Sequence, residues 1–157
     1  MDLQTEQAVW RRVRGPGNMT AEEAVLPERL EALILEQQSL AAAQRELARR
    51  MRGSQSAAMS RMAGQTMAQA RELIALHYML TGRALRLQTP RPQLPGPMPE
   101  ALRETWQRLR QTTRTYESLE TEFGDYANDF SRFSRQTRDH ARALMEVMQQ
   151  LQSNRGM

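Results

Sequence analysis

A chain of 157 residues with 39% hydrophobic and 25% charged residues fits a single domain, able to bury about 68–70% of its unfolded surface without staples. The absence of Cys excludes disulfides, thiolate metal sites and a cysteine nucleophile and points to a reducing cytoplasm, while a 5% aromatic content disfavours an all-β fold. All 22 basic residues are Arg, and the net charge of +4 is too mild to indicate nucleic acid by itself.

Residues 1–19 read as an N-terminal arm. Its short helix candidate, residues 1–14, carries Leu3, Val9, Trp10 and Val13 and is closed by Gly15, Pro16 and Gly17. The start lacks both a basic n-region and an apolar h-region, and no run approaches the roughly 18 apolar residues of a membrane span, so neither secretion nor membrane insertion is expected.

A four-helix bundle is expected over 20–153. Its first helix opens with Thr20 and, three residues on, Glu23, with Pro27 placed in the first turn, and it ends at Gly53. Leu26, Leu30, Leu33, Gln37, Leu40, Gln44, Leu47 and Met51 alternate at spacings of four and three, the inward seam of a bundle helix. The second helix runs from Ser54 to a stop at Gly82, with Met59, Met62, Thr66, Gln69, Leu73, Leu76 and Leu80 as its seam. Both helices are read as about 26 residues long.

Residues 82–99 contain Pro90, Pro92, Pro95, Pro97 and Pro99 and are read as an extended, non-helical crossover. At about 3.1 Å per residue they span about 50 Å, more than the roughly 40 Å height of such a bundle. A tight hairpin needs only about two to eight residues, so one long crossover is expected between the second and third bundle helices. The third helix carries Leu102, Trp106, Leu109, Thr113, Tyr116, Leu119 and Phe123 and ends at Gly124. The fourth carries Phe130, Phe133, Thr137, His140, Leu144, Val147 and Leu151, and 154–157 read as a disordered tail. The predicted fold is therefore all-α: an antiparallel four-helix bundle with one Pro-rich crossover and a short N-terminal helix.

Each seam turns polar near its middle: Gln37 and Gln44, Thr66 and Gln69, Thr113 and Tyr116, Thr137 and His140. A polar group buried without a partner costs about 1–3 kcal/mol, so these residues are expected to meet in one or two hydrogen-bonded layers that fix helix register. The segments Gln65–Leu73 and Gln136–Leu144 also match each other, with Gln, Thr, Ala, Arg and Leu at equivalent positions, which suggests duplication of a helical hairpin.

Over residues 27–152 the chain resembles the ferritin-like superfamily, and within it the rubrerythrin-type families. Such proteins carry a ligand Glu with a Tyr seven residues later, then Glu-x-x-His followed by Ala, once in each half. Gln37 and Gln44 stand at the first spacing, while Thr66, Gln69 and Ala70 stand at the second. In the other half Tyr116 matches the Tyr, Arg108 or Leu109 falls near the ligand Glu, and Thr137, His140 and Ala141 match the last motif. The resemblance implies the fold and a di-iron site, yet of the ligand positions only His140 keeps a ligand type. Iron and manganese need several carboxylates, and Gln, Thr and Leu supply none. The metal candidates that remain are Glu36, one residue from the expected place, and His140.

Other features carry simpler readings. His77, on the flank of its helix, is given no role, and Asp139 cannot face its neighbour His140 on one helix. Arg132, Arg135, Arg138 and Arg142 form a stripe beside the last seam, and Arg11, Arg12 and Arg14 cluster in the arm; both read as solvated faces rather than nucleic-acid tracks. Met59, Met62, Met67, Met145 and Met148 read as core filler. The expected function is a structural or protein-interaction role without cofactor or turnover, with a protein partner or a homodimer through Arg- and Met-bearing faces. The alternative is an iron- or manganese-binding rubrerythrin-type oxidoreductase, and the third is an Arg-mediated nucleic-acid binder.

Overall fold

A computed structural model describes residues 21–155, and every regular element in it is helical. Among the described residues four long helices follow one another: α1 (Ala21–Arg50), α2 (Gly53–Thr81), α3 (Met98–Glu122) and α4 (Ala127–Arg155), with a 3₁₀ turn, Gly124–Tyr126, before α4. The N-terminal arm, including Trp10 and the Arg11, Arg12 and Arg14 cluster, lies outside the described residues. None of these helices is long and apolar enough to cross a membrane.

The helix ends follow from local chemistry. Only Met51 and Arg52 separate α1 from α2, and the turn closes because Gly53 adopts φ 62°, a left-handed conformation. A Cβ at Gly53 would meet nothing within 4 Å, so the constraint is the backbone angle and not crowding. Gly82, at φ 74°, caps α2 and donates its N–H to the Tyr78 carbonyl at 2.7 Å.

Several predicted boundaries move. Helices α1 and α2 have 30 and 29 residues, longer than expected. Pro27 lies inside α1 and not in its first turn. Pro99 belongs to the first turn of α3, where its missing N–H leaves no intrahelical bond unmade, so the non-helical stretch is 82–97. α3 ends at Glu122, before Gly124, and α4 continues to Arg155, so Asn154 and Arg155 are helical where a disordered tail was expected.

Nearly every predicted seam position turns inward. All eight of the α1 seam residues are buried, and so are Met59, Met62, Thr66, Gln69 and Leu73 on α2. On the last turns of α2 the seam rotates by one residue: His77 is fully buried, while Leu76 and Leu80 are half-buried. Trp106, Phe123 and Leu151 are also half-buried, whereas Ala101, Thr105 and Thr112 join the buried face of α3.

The apolar core falls into two clusters. One gathers Leu40, Leu47, Met59, Leu102, Leu109, Leu144 and Val147. The other gathers Leu26, Leu30, Leu73, Tyr116, Phe130 and Phe133. Each fully buried aliphatic or aromatic side chain contributes about 1.5–3 kcal/mol of transfer free energy, so the two clusters carry the stability and the polar residues between them must cost little.

Contacts between helices run in opposite order along most neighbouring pairs. Between α2 and α4 they are Gln55–Gln150, Gln65–His140, Gln69–Gln136 and Glu72–Arg132. Between α1 and α2 they are Glu31–His77, Gln37–Gln69 and Ala48–Ser56. Residues 82–97 start beside Glu31, which Arg83 approaches at 3.5 Å, and finish beside Arg50, whose guanidinium donates to the Pro95 and Gly96 carbonyls at 2.9 and 3.2 Å.

Candidate functional site

All eight polar seam residues expected to meet in one or two layers are buried: Gln37, Gln44, Thr66, Gln69, Thr113, Tyr116, Thr137 and His140. They do not form one continuous network.

The first part is a closed triangle. Gln37 Nε2 donates to the Tyr116 hydroxyl at 2.7 Å and also to Gln69 Oε1, while the Tyr116 hydroxyl donates to Gln69 Oε1 at 3.0 Å. Gln69 Nε2 then donates to Gln136 Oε1, so one amide ties α1, α3 and α4 to α2. The Tyr116 ring is held by Phe133, 5.3 Å away between centroids, and by Phe130 at 6.5 Å. Burial pushes the Tyr116 phenol far above its ordinary pKa, so it stays protonated and available as a donor.

A second, smaller link joins α3 to α4. The Thr113 and Thr137 hydroxyls lie 2.8 Å apart, and each also reaches a carbonyl of its own helix: Leu109 at 2.9 Å for Thr113, Phe133 and Ser134 at 3.1 and 3.0 Å for Thr137. Each hydroxyl has one proton. One therefore donates across the interface and the other donates to its helix.

The third part is incomplete. His140 Nε2 lies 2.7 Å from Gln65 Oε1, an acceptor, so the proton sits on Nε2 and Nδ1 is bare. Among the described residues Nδ1 has no hydrogen-bond partner, and neither amide atom of Gln44 has one. Gln37 Oε1 and Gln38 Nε2 are likewise buried without partners. Burial pushes the His140 imidazole down to about 4, against a smaller opposing pull from Asp139, so it is neutral at pH 7.

The internal repeat explains this asymmetry. Gln65 is the counterpart of Gln136, and Gln69 that of His140, so the Gln65–His140 and Gln136–Gln69 hydrogen bonds are the same contact made twice across an approximate two-fold. The counterpart of Tyr116 is Gln44. In one half the Tyr116 hydroxyl reaches Gln69; in the other, the shorter Gln44 leaves its own amide and His140 Nδ1 unpaired. Leu109, at the counterpart position of Gln37, has no polar group to offer.

The two metal candidates are not brought together. Glu36 faces α3, where Arg108 donates to it at 2.9 Å and to Ser39 at 2.9 Å, while His140 faces Gln65 on α2. The other residues at the ligand positions are amides, hydroxyls and Leu109, which bring no negative charge to balance a divalent ion. Among the described residues no three His, Cys, Asp or Glu side chains gather where they could hold a metal ion. The donor set does not fit a di-iron centre.

His77 is the residue that sequence reasoning passed over. Fully buried, it places Nε2 3.0 Å from Glu31 Oε1 and Nδ1 3.4 Å from the Thr81 hydroxyl. The order Thr, His, Glu has the look of a nucleophilic triad, but the Thr81 hydroxyl donates to the His77 carbonyl at 2.8 Å and accepts from the Arg83 N–H at 3.1 Å. That is how a helix C-terminus satisfies its last groups, and the hydroxyl is committed to it. Alignment of Glu31 with His77 across two helices was the missing signal, visible only once the α1–α2 register is fixed.

Two of the four guanidiniums of the α4 stripe, Arg132 and Arg138, are held in close ion pairs. Arg132 pairs with Glu72 and Asp129, Arg138 with Glu117 at 2.7 Å, and Arg142 lies 3.9 Å from Asp139. No known protein family, curated protein or solved structure matches the chain.

Proposed function

We propose that this chain is a metal-free, antiparallel ferritin-like bundle whose work is structural, presenting its surfaces to a protein partner or a second copy in a reducing cytoplasm. The opposite order of contacts between neighbouring helices supports that arrangement. So does the path of residues 82–97, which enter beside Glu31 and leave beside Arg50 and therefore travel about 28 Å along α1, as a crossover must.

The observation that carries the functional reading is the closed Gln37–Tyr116–Gln69–Gln136 network. Where a metal-binding bundle would gather carboxylates, neutral amides and a protonated phenol satisfy one another, which fixes the helices and leaves no charge for a cation. Metal content per chain, measured on protein expressed with excess iron and manganese and purified without chelators, tests this. The expected result is far below one ion per chain. About one or two ions per chain would overturn the reading in favour of a rubrerythrin-type oxidoreductase using Glu36 and His140.

A further inference from the structure

The surface between α3 and α4 carries a groove unrelated to the polar layer. One stretch, about 660 Å³, is lined by Arg110, Arg114, Arg138 and Arg142 together with Glu117 and Glu146, so guanidiniums outnumber carboxylates by two. A second stretch, about 420 Å³, is lined by Met98, Leu102, Met145, Met148 and Leu151, with Arg103 as its one charged side chain. Trp106, Met145 and Gln149 line both, so the two stretches form one groove, with four guanidiniums at one end and mostly apolar side chains beside a single Arg103 at the other.

The basic end is not closed by its own ion pairs. Among the described residues Arg114 makes no ion pair or hydrogen bond, and Arg142 has only the 3.9 Å approach to Asp139, with both side chains about 70% exposed. Arg110 lies over the Trp106 ring at 5.2 Å and so points along the groove at the junction of the two ends. The apolar end is half-buried and rich in Met, whose flexible thioether adapts to chains of varied shape. The two volumes fall within the range of about 300–1,000 Å³ typical of small-molecule sites.

We propose that this groove binds an anionic amphiphile, a single alkyl chain bearing a phosphate or carboxylate head. The chain lies over Met98, Met145, Met148 and Leu151, and the head is held by Arg110, Arg114 and Arg142. Charge complementarity sets the direction: the first stretch offers four guanidiniums for charge-assisted hydrogen bonds against the single Arg103 of the second, and Met98, Met148, Leu102 and Leu151 give the second its apolar cover.

The test is calorimetric titration of the full chain with dodecyl phosphate below its micellar concentration. One saturable site per chain is expected, with inorganic phosphate and the neutral dodecyl maltoside each at least about ten-fold weaker. Arg114→Gln combined with Arg142→Gln changes exposed residues only, so the helical content by circular dichroism is retained while affinity falls about ten-fold. Equal binding of the neutral detergent, or unchanged affinity in the double variant, would overturn the proposal. So would a stable dimer by sedimentation that leaves dodecyl phosphate without a site, since the groove would then be covered by a second copy. Metal content reads the polar layer and not this groove, so failure here is distinguishable from failure of the scaffold reading.

Discussion

The two halves of the buried polar layer arise from the same repeated motif and end in different states. Around Tyr116 every step of the chain from Gln37 to Gln136 is made, and only Gln37 Oε1 is left over. Around His140 a single hydrogen bond to Gln65 is made, and both atoms of the Gln44 amide stay unpaired. What separates them is the reach of one side chain: a phenol spans to the neighbouring helix and an amide does not. Neighbours follow suit, since Tyr116 stands beside Phe130 and Phe133 in an aromatic cluster, whereas Gln44 sits between Leu40 and Leu47 in an aliphatic one. A polar core position is thus stabilising or costly according to its partners and not its identity.

The sharpest way to break the comparison is at its hub. Gln69→Leu removes the acceptor of the Tyr116 hydroxyl, one of the two acceptors of Gln37, which keeps its bond to Tyr116, and the donor to half-buried Gln136. A loss of about 3 kcal/mol is expected, because a buried group left unpaired costs about 1–3 kcal/mol and the other two groups each lose a hydrogen bond. Urea unfolding followed by circular dichroism measures it. A loss below about 1 kcal/mol would mean that the triangle contributes no more than scattered polar residues do.

The incomplete half responds to pH. Above about pH 6.5 the His140 imidazole is neutral in both folded and unfolded chains. Between there and its folded value of about 4, only the unfolded chain takes up the proton, so stability falls as the pH falls. About 3 kcal/mol is lost by pH 4. Carboxylates titrate over part of the same window, so the quantity to measure is the difference between the wild-type chain and His140→Gln. The variant should lose the slope between pH 6.5 and 4, and an unchanged slope would show that His140 is protonated in the fold.

Much of this fold was legible in the sequence because helical burial repeats at spacings of three and four, and few residues depart from it. The seam from Leu26 to Met51 is buried at all eight positions, while the first helix, read as ending at Gly53, stops at Arg50 and Gly53 opens α2. Misreadings cluster where the period gives no information. His77 replaces Leu76 inside because the last turns of α2 rotate to meet Glu31, and Pro99 enters α3 because a first turn accepts it. Burial of the eight polar positions followed from periodicity, but their pairing did not. Whether Gln44 finds a partner depends on the offset between helices and the length of a side chain on a neighbouring one, which no single helix encodes.

The smallest effect separates the halves most cleanly because its sign differs between them. Gln44→Leu exchanges a buried amide without partners, between Leu40 and Leu47 on the seam of α1, for an aliphatic side chain of similar size. Removal of the desolvated amide should stabilise the chain by about 1 kcal/mol. Gln37→Leu, seven residues earlier on the same face of α1, deletes a donor to both Tyr116 and Gln69 and should destabilise it. Thermal unfolding of the two variants side by side provides the measurement. If Gln44→Leu is destabilising as well, its amide and His140 Nδ1 are joined by buried water, and the second half of the layer is as complete as the first, with solvent standing where Tyr116 stands in its counterpart.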